Sequence, residues 1–197
     1  LGKEDLWPIA NLELELLPCL IDMTWTGVRV DMDAVEKTRV ALIKEEKDVL
    51  SEIKRMTNMD VEIWAAQSLS KAFDKMSIAY PKTEKGQPSF TKGFLGEHED
   101  KLPRLIVKAR NLNKTHGTFI NTIMRHTGRD GRIHSHINQI RSDDGGTVSG
   151  RISMSNPNLQ QIPARDPVLG PMIRSLFLPE EGDKWAAIDF SQQEPRI

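Results

Sequence analysis

The residues best placed to do chemistry stand near the end of the chain: Asp189, then Ser191, Gln192, Glu194 and Arg196. Ahead of Asp189 the short apolar run Ala186-Ala187-Ile188 reads as a buried strand. A carboxylate at the end of a strand, followed by a turn, is a rigid mount for a Mg²⁺ ligand. The competing reading is a strand-end carboxylate that holds no metal. A second polar stretch runs from Asp143 to Gln161 and combines Gly145, Gly146 and Gly150 with Arg151, Asn158, Gln160 and Gln161. Glycines let backbone approach a ligand closely, and Arg, Asn and Gln donate hydrogen bonds. In the minor groove of a duplex every base pair shows acceptors, so donors aimed there test the shape of a pair without reading its sequence. By composition alone, the same stretch is a polar surface loop with a turn at Asn156-Pro157.

Helices must position these residues. Leu12, Leu16, Leu20 and Met23 recur at helical spacing within Leu6 to Met23, with Pro18 as a candidate kink. Thr26 to Asp31 reads as a turn into a short extended piece, with Gly27 suited to positive φ. Asp33 and Glu36 suggest a capping box that opens a long helix from about Ala34 to Met56. Its stripe is Leu42, Val49, Ile53 and Met56, with Lys44, Glu45, Lys47 and Asp48 off it. A shorter helix covers Ser68 to Met76, and Tyr80 to Phe94 reads as a loop punctuated by Lys82, Lys85 and Lys92. A second long helix runs from Lys101 to about Arg125, with Leu105, Leu112, Phe119 and Ile123 among its apolar positions. Gly128 to Gly131 is a turn, and Arg132 to Ile140 alternates weakly as a strand does.

Net charge is −1 over 197 residues, which by itself points to no partner. Its distribution is uneven: residues 101–151 hold ten Lys and Arg against three Asp and Glu, while residues 1–100 hold 13 against 19. A basic middle suits an anionic partner, and a solvated helix face explains it equally well. Cys19 is the sole cysteine, so no internal disulfide forms and a reducing compartment is expected. No apolar run approaches the length of a membrane span, and no signal peptide opens the chain. There is no initiator Met, which suggests a fragment of a longer polypeptide or one part of a split one.

Two exact runs resemble the family A (polymerase I-like) DNA polymerases. Asp189-Phe190-Ser191-Gln192-Gln193-Glu194-Pro195-Arg196 is similar to that family's motif A, Asp-Tyr-Ser-Gln-Ile-Glu-Leu-Arg. Ser149-Gly150-Arg151-Ile152-Ser153-Met154-Ser155-Asn156-Pro157-Asn158-Leu159-Gln160-Gln161-Ile162-Pro163 resembles its Thr-Gly-Arg-Leu-Ser-Ser-Ser-x-Pro-Asn-Leu-Gln-Asn-Ile-Pro signature, at the family's usual separation from motif A. Gly131-Arg132-Ile133-His134 with Asn138-Gln139, and Thr26 to Asp31, fit upstream pieces in the same order.

The resemblance implies an α+β fold: a mostly helical thumb followed by the start of an antiparallel-sheet palm, part of a right-hand polymerase. It places the tail of a preceding exonuclease-like domain at 1–23, the thumb at 24–127 and the first part of the palm at 128–197. It gives Asp189 the catalytic role and the binding of two Mg²⁺ ions, with the Phe190 backbone carbonyl as a further ligand. Ser191, Gln192 and Glu194 would contact the incoming nucleotide, Glu194 as the gate against a 2′-hydroxyl. Lys114, Arg151, Asn158, Gln160, Gln161 and Arg165 would bind DNA. The partners implied are primer–template DNA, dNTP and a missing fingers and palm portion, in cis or as a separate chain. No membrane is involved, and the setting is cytoplasmic: the bacterial host's cytoplasm for a bacteriophage source, which the unusual motif A suits.

Phe190 stands where Tyr is usual, and Gln193 and Pro195 replace apolar residues. The chain holds no fingers helix with its cationic clamp, no later His-Asp-Glu motif with the second aspartate, and no Asp-x-Glu proofreading cluster near its start. The activity expected of the family member is template-directed DNA synthesis, with the isolated chain inactive. The alternatives are a non-catalytic DNA-binding module and one half of a split polymerase that needs a partner chain.

Overall fold

A computed structural model describes residues 6–142, 145–163 and 166–192. The chain divides into two compact units. One is contiguous, Met32–Arg125; the other joins the residues up to Asp31 with those from His126 onward.

The contiguous unit is helical. Helix α2 (Met32–Thr57) buries Val35, Leu42, Val49 and Ile53 at helical spacing against the next long helix, α5 (Lys101–Lys114). Burying each such side chain stabilises the fold by roughly 1.5–3 kcal/mol. The expected capping box does not form. The helix begins at Met32, so Asp33 lies in its first turn, and the Glu36 carboxylate accepts two bonds of 2.9 Å from Arg39 instead. An i,i+3 guanidinium competes successfully for that carboxylate.

Helix α3 (Ala66–Lys75) buries Phe73 beneath Phe90, with ring centroids 4.8 Å apart, and Tyr80 meets Phe73 edge-on at 6.0 Å. These rings pin the 80–94 segment down. It is not simply a loop: Lys82 bridges Pro88, and α4 (Lys92–Glu97) starts inside it, its first turn capped by Thr91 Oγ1, which accepts from the Phe94 N–H.

The second long helix is not uniform. A π-helical turn, Thr115–Ile120, follows α5 and leads into α6 (Asn121–His126). Its buried aliphatic side chains are Leu102, Ile106, Ala109, Leu112, Ile120 and Ile123, while the expected Leu105 and Phe119 are half-buried.

In the other unit, helix α1 (Trp7–Thr26) runs through Pro18 as one element. The amphipathic stripe expected for it is not buried. Of its residues only Leu20 is buried among the described residues, and Leu12 and Met23 are more than half exposed, because apolar residues lie all round the helix and, of the described elements, β3 packs on it most closely. Gly27 ends α1 at φ +63°, its N–H donating to the Met23 carbonyl. Strand β1 (Val28–Val30) then forms the centre of an antiparallel sheet, between β2 (Arg132–Ile133) and β5 (Phe177–Leu178). Residues 28–30 thus belong with this sheet through its ladder.

The register sets Arg29 opposite Arg132, a like-charge pair. Each guanidinium is turned to a different acceptor: Arg29 donates to the Pro179 carbonyl at 3.0 Å, and Arg132 pairs with Glu180 at 2.7 Å. The single strand expected over 132–140 is two strands in two sheets. Strand β3 (His136–Asn138) pairs antiparallel with β4 (Ser153–Ser155), and α7 (Leu169–Arg174) precedes β5.

Candidate nucleic-acid and nucleotide interface

The 147–163 loop is built on β4, which β3 holds in register, Ile137 opposite Met154. Before the strand the backbone turns through Gly150 at φ +73°, and Thr147 Oγ1 donates to the Arg151 carbonyl at 2.6 Å. After it, a 3₁₀ turn covers Leu159–Gln161. Asn158 caps that turn: its Oδ1 accepts from the Gln160 N–H at 3.0 Å. The Gln160 amide reaches back to the strand, accepting from the Met154 N–H at 3.1 Å and donating to the Ile152 carbonyl at 3.2 Å.

These bonds orient the two amides. With Oδ1 held by the backbone, Asn158 has its NH₂ left for an outside acceptor, and Gln160 has one N–H left. Asn158, Gln160, Gln161 and Arg151 are all exposed. The structure thus brings four of the expected DNA-binding residues onto one loop and presents donors. Arg165 lies outside the described residues.

Asp189 is exposed and makes no hydrogen bond or ion pair among the described residues. The buried strand expected over Ala186–Ile188 is absent: residues 183–190 have no regular structure, and Ile188 is 91% exposed. A strand needs a ladder partner for its N–H and C=O groups, and none of the described strands runs beside this stretch. Trp185 anchors it, its indole N–H donating to the Phe177 carbonyl at 3.3 Å. A cleft of about 460 Å³ lined by Leu159, Gln160, Ile162, Arg174, Phe177 and Trp185 sets the 3₁₀ turn beside the stretch that leads to Asp189. Ser191 and Gln192 form an exposed turn, and Glu194 lies outside the described residues.

The oxygens of Asp189 and of the Phe190 carbonyl are hard donors, the type Mg²⁺ takes. Among the described residues no three His, Cys, Asp or Glu side chains gather to hold a metal. None of the described helices is long and apolar enough to cross a membrane.

The basic window is smaller in space than in sequence. Lys101 pairs with Glu52, Lys108 with Glu45 and Arg132 with Glu180. Arg110 turns inward, donating to the Ile63 and Phe90 carbonyls at 2.8 and 3.1 Å beneath the Trp64 ring, and burial lowers its pKa. Among the described residues Lys114, Arg125, Arg129 and Arg141 have no acidic partner.

One group escaped sequence reasoning. Glu46 is buried on α2 and meets Asn113 at 2.9 Å and His116 at 2.5 Å. The signal was present: Glu46 lies four residues after Leu42 and three before Val49, on the apolar stripe itself.

A profile described as DNA polymerase family A matches residues 32–197. A "DNA-directed DNA polymerase" of Pseudomonas phage M6 is 35% identical over all of this chain and 31% of its own length. A "DNA polymerase DpoZ" of Acinetobacter phage SH-Ab 15497 is 33% identical over 99% of this chain and 34% of its own. The chain therefore spans about a third of the length of the curated relatives it matches. A solved structure, the POL domain of Pol1 from M. smegmatis in complex with DNA primer–template and dNTP, shares the fold at a TM-score of 0.69. That match is 23% identical and covers 86% of this chain and 30% of the other.

Proposed function

The chain belongs to DNA polymerase family A, and from that membership we propose that it supplies the duplex-holding and first metal-binding parts of a template-directed DNA polymerase. The observation that carries the reading is the 151–161 loop, where the exposed Asn158 and Gln160 amides are held by their own loop, Asn158 through its Oδ1 and Gln160 through Oε1 and one N–H, leaving the Asn158 NH₂ and one Gln160 N–H for an outside acceptor. Donors so fixed meet purine N3 and pyrimidine O2 of any base pair, the requirement of an enzyme that copies every sequence.

In this reading residues 24–127 act as the thumb, residues 128–197 as the start of the palm and residues 1–23 as the tail of an exonuclease-like domain. Arg151, Asn158, Gln160 and Gln161 hold the minor groove beside the primer end, with Lys114 and Arg165 on phosphates. Ser191, Gln192 and Glu194 face the dNTP. Asp189 and the Phe190 carbonyl would hold Mg²⁺, which supplies charge stabilisation at the attacking and leaving oxygens when bound. One aspartate is half of such a donor set, so extension needs the remaining polymerase portion, in cis or in trans. For a phage protein the work is done where the template is, in the bacterial host's cytoplasm.

Two measurements test this. The 197-residue chain should bind primer–template duplex with log K falling against log salt at a slope of roughly −2 to −4, about 0.9 for each phosphate that a free cation meets. In the completed polymerase, Asp189→Asn should abolish primer extension and leave duplex affinity within about twofold. An absent salt slope removes the thumb role, and an active Asn variant removes the metal role.

A further inference from the structure

Helix α1 carries more apolar surface than β3 covers. Trp7, Leu14, Leu17, Ile21 and Trp25 are each at least 41% exposed. At about 100° per residue they fall within an arc of roughly 80°, a seam that runs about 27 Å along the helix. A seam so narrow is the kind one helix presents to another.

The seam is one wall of a groove. Two cavities, of about 720 and 410 Å³, meet at Leu17. The first lies between Ile21 and Trp25 of the helix and Ile137 of β3; the second lies between Leu14 and Ile140. Gln139 ties the two walls together, donating to the Glu13 carbonyl at 3.0 Å and to its carboxylate at 2.6 Å. The groove is therefore preformed and open.

Charge says what kind of partner fits. From Trp7 to Thr26 the helix holds Glu13, Glu15 and Asp22 and neither Lys nor Arg. Glu15 and Asp22 are exposed, seven apart, and flank the seam on the side away from Glu13. Helices that lie on a membrane surface or on nucleic acid present cations; this one presents carboxylates. A second copy of α1 laid antiparallel in the groove would set the same carboxylates against each other.

The unit that contains α1 is also unfinished. Residues 186–188 have the composition of a strand and no ladder partner among the described strands. The match with the Pseudomonas phage M6 polymerase includes all of this chain, α1 with it, and leaves more than two thirds of that protein outside. Whatever completes the metal site at Asp189 must pack on this same unit.

We infer that α1 docks a helix of the remaining polymerase portion, the part that completes the Asp189 metal site. That helix sets apolar residues at i, i+3, i+4 and i+7 into the groove and places Lys or Arg beside Glu15 and Asp22. The inference rests on the proposed function, which requires such a portion.

The test compares hydroxyl-radical footprints of the 197-residue chain and of the completed polymerase, read residue by residue by mass spectrometry. Trp7, Ile21 and Trp25 should react in the chain at every concentration and be protected in the completed polymerase. A carbodiimide cross-link should join Glu15 or Asp22 to a Lys of the portion that completes the metal site. Ile21→Asp should leave the urea midpoint of the chain near wild type, because Ile21 is already exposed there, yet strip the protection and slow primer extension by roughly tenfold or more. Ile21→Leu should behave as wild type in all three. Seam residues that stay reactive in a completed polymerase that extends primers overturn the docking alone. Protection that grows with concentration in the chain by itself assigns the seam to a second copy, and a cross-link to a segment ahead of residue 1 assigns it to a preceding domain; either overturns the inference. A completed polymerase that protects the seam but does not extend primers overturns the functional reading instead.

Discussion

Replacing Gly27 by Ala tests how tightly the end of α1 is built into the sheet. Gly27 has φ +63° and ψ −169°, a region that is essentially glycine's alone and costs other residues about 1–3 kcal/mol. A Cβ there would stand 2.7 Å from His134 Nδ1 and 2.8 Å from the Ile133 carbonyl oxygen. The ring can yield only by giving up its 2.8 Å bond to the Thr24 carbonyl, worth about 0.5–1.5 kcal/mol. The Ile133 oxygen belongs to β2, which pairs with β1, so its retreat loosens the ladder at a similar cost. The sum is about 2–6 kcal/mol. Two other glycines separate the contributions. Gly86 has φ +75° with nothing within 4 Å of its Cβ position, so Ala there should cost only about 1–2 kcal/mol of backbone strain. Gly93, in α4 with ordinary φ and open space, should gain about 0.5 kcal/mol as Ala. Urea unfolding followed by tryptophan fluorescence reads this directly, since Trp7, Trp25 and Trp185 lie in the same unit as Gly27. At about 1–3 kcal/mol per molar urea, Gly27→Ala should lower the midpoint by roughly 0.7 M or more. A Gly27 variant no weaker than the Gly86 variant refutes the crowding argument.

Both ring nitrogens of His134 face acceptors, the Thr24 carbonyl and the Asp130 carboxylate at 2.8 Å each. Asp130 first, then the carbonyl, raises the His134 pKa, and His134 lowers that of Asp130. The histidine's contribution is therefore full below its ordinary 6.5 and fades as pH climbs through its raised value. That of the aspartate holds above 3.8 and fades as pH falls through its depressed value. The urea-midpoint gap between wild type and His134→Gln should be small, widest near pH 5–6 and narrower above neutrality; a flat gap counts against the pair. Arg110→Ala should destabilise the helical unit by about 2–4 kcal/mol, since it strands the Ile63 and Phe90 carbonyls. Arg110→Lys should recover less than half by circular dichroism, and full recovery would dismiss the forked contact. In the completed polymerase, Arg151→Ala should slow incorporation by about 1–3 kcal/mol with little change in nucleotide binding; unchanged single-turnover extension removes its role.

Motifs and helices were legible because both are local. Gly27 was readable as a positive-φ position, and α2, α3 and the helical run from 101 appear within two or three residues of their expected ends. What escaped depends on distant partners. Ala186–Ile188 has the composition of a strand, but a strand is defined by a neighbour, and Ile188 stands in solvent. The apolar residues of α1 promise a buried stripe, but burial needs a packed neighbour, and most of them stand exposed. The polar cluster of Asn113 and His116 on Glu46 also depends on a partner some seventy residues away in sequence. Asn158 and Gln160 were readable as donors, but not that their own loop locks the other end of each amide.

The sheet order has a consequence for how the chain is made. Strand β1 precedes both of its neighbours in sequence yet is the middle strand, between β2 and β5. On a ribosome it emerges before either of them and finds no ladder. Residues 32–125 follow and contain a complete helical core of their own, so they can condense while β1 waits with its backbone groups in water. Closing a flexible loop of roughly a hundred residues carries an entropic toll that grows with the logarithm of its length, and nascent helices in between shorten that search. β2 then adds on one side, and β5 arrives some forty-five residues later, about two to nine seconds at bacterial elongation rates. For that interval β1 presents an open edge, an invitation to wrong pairing, and Arg29 at its centre is the charge that discourages it.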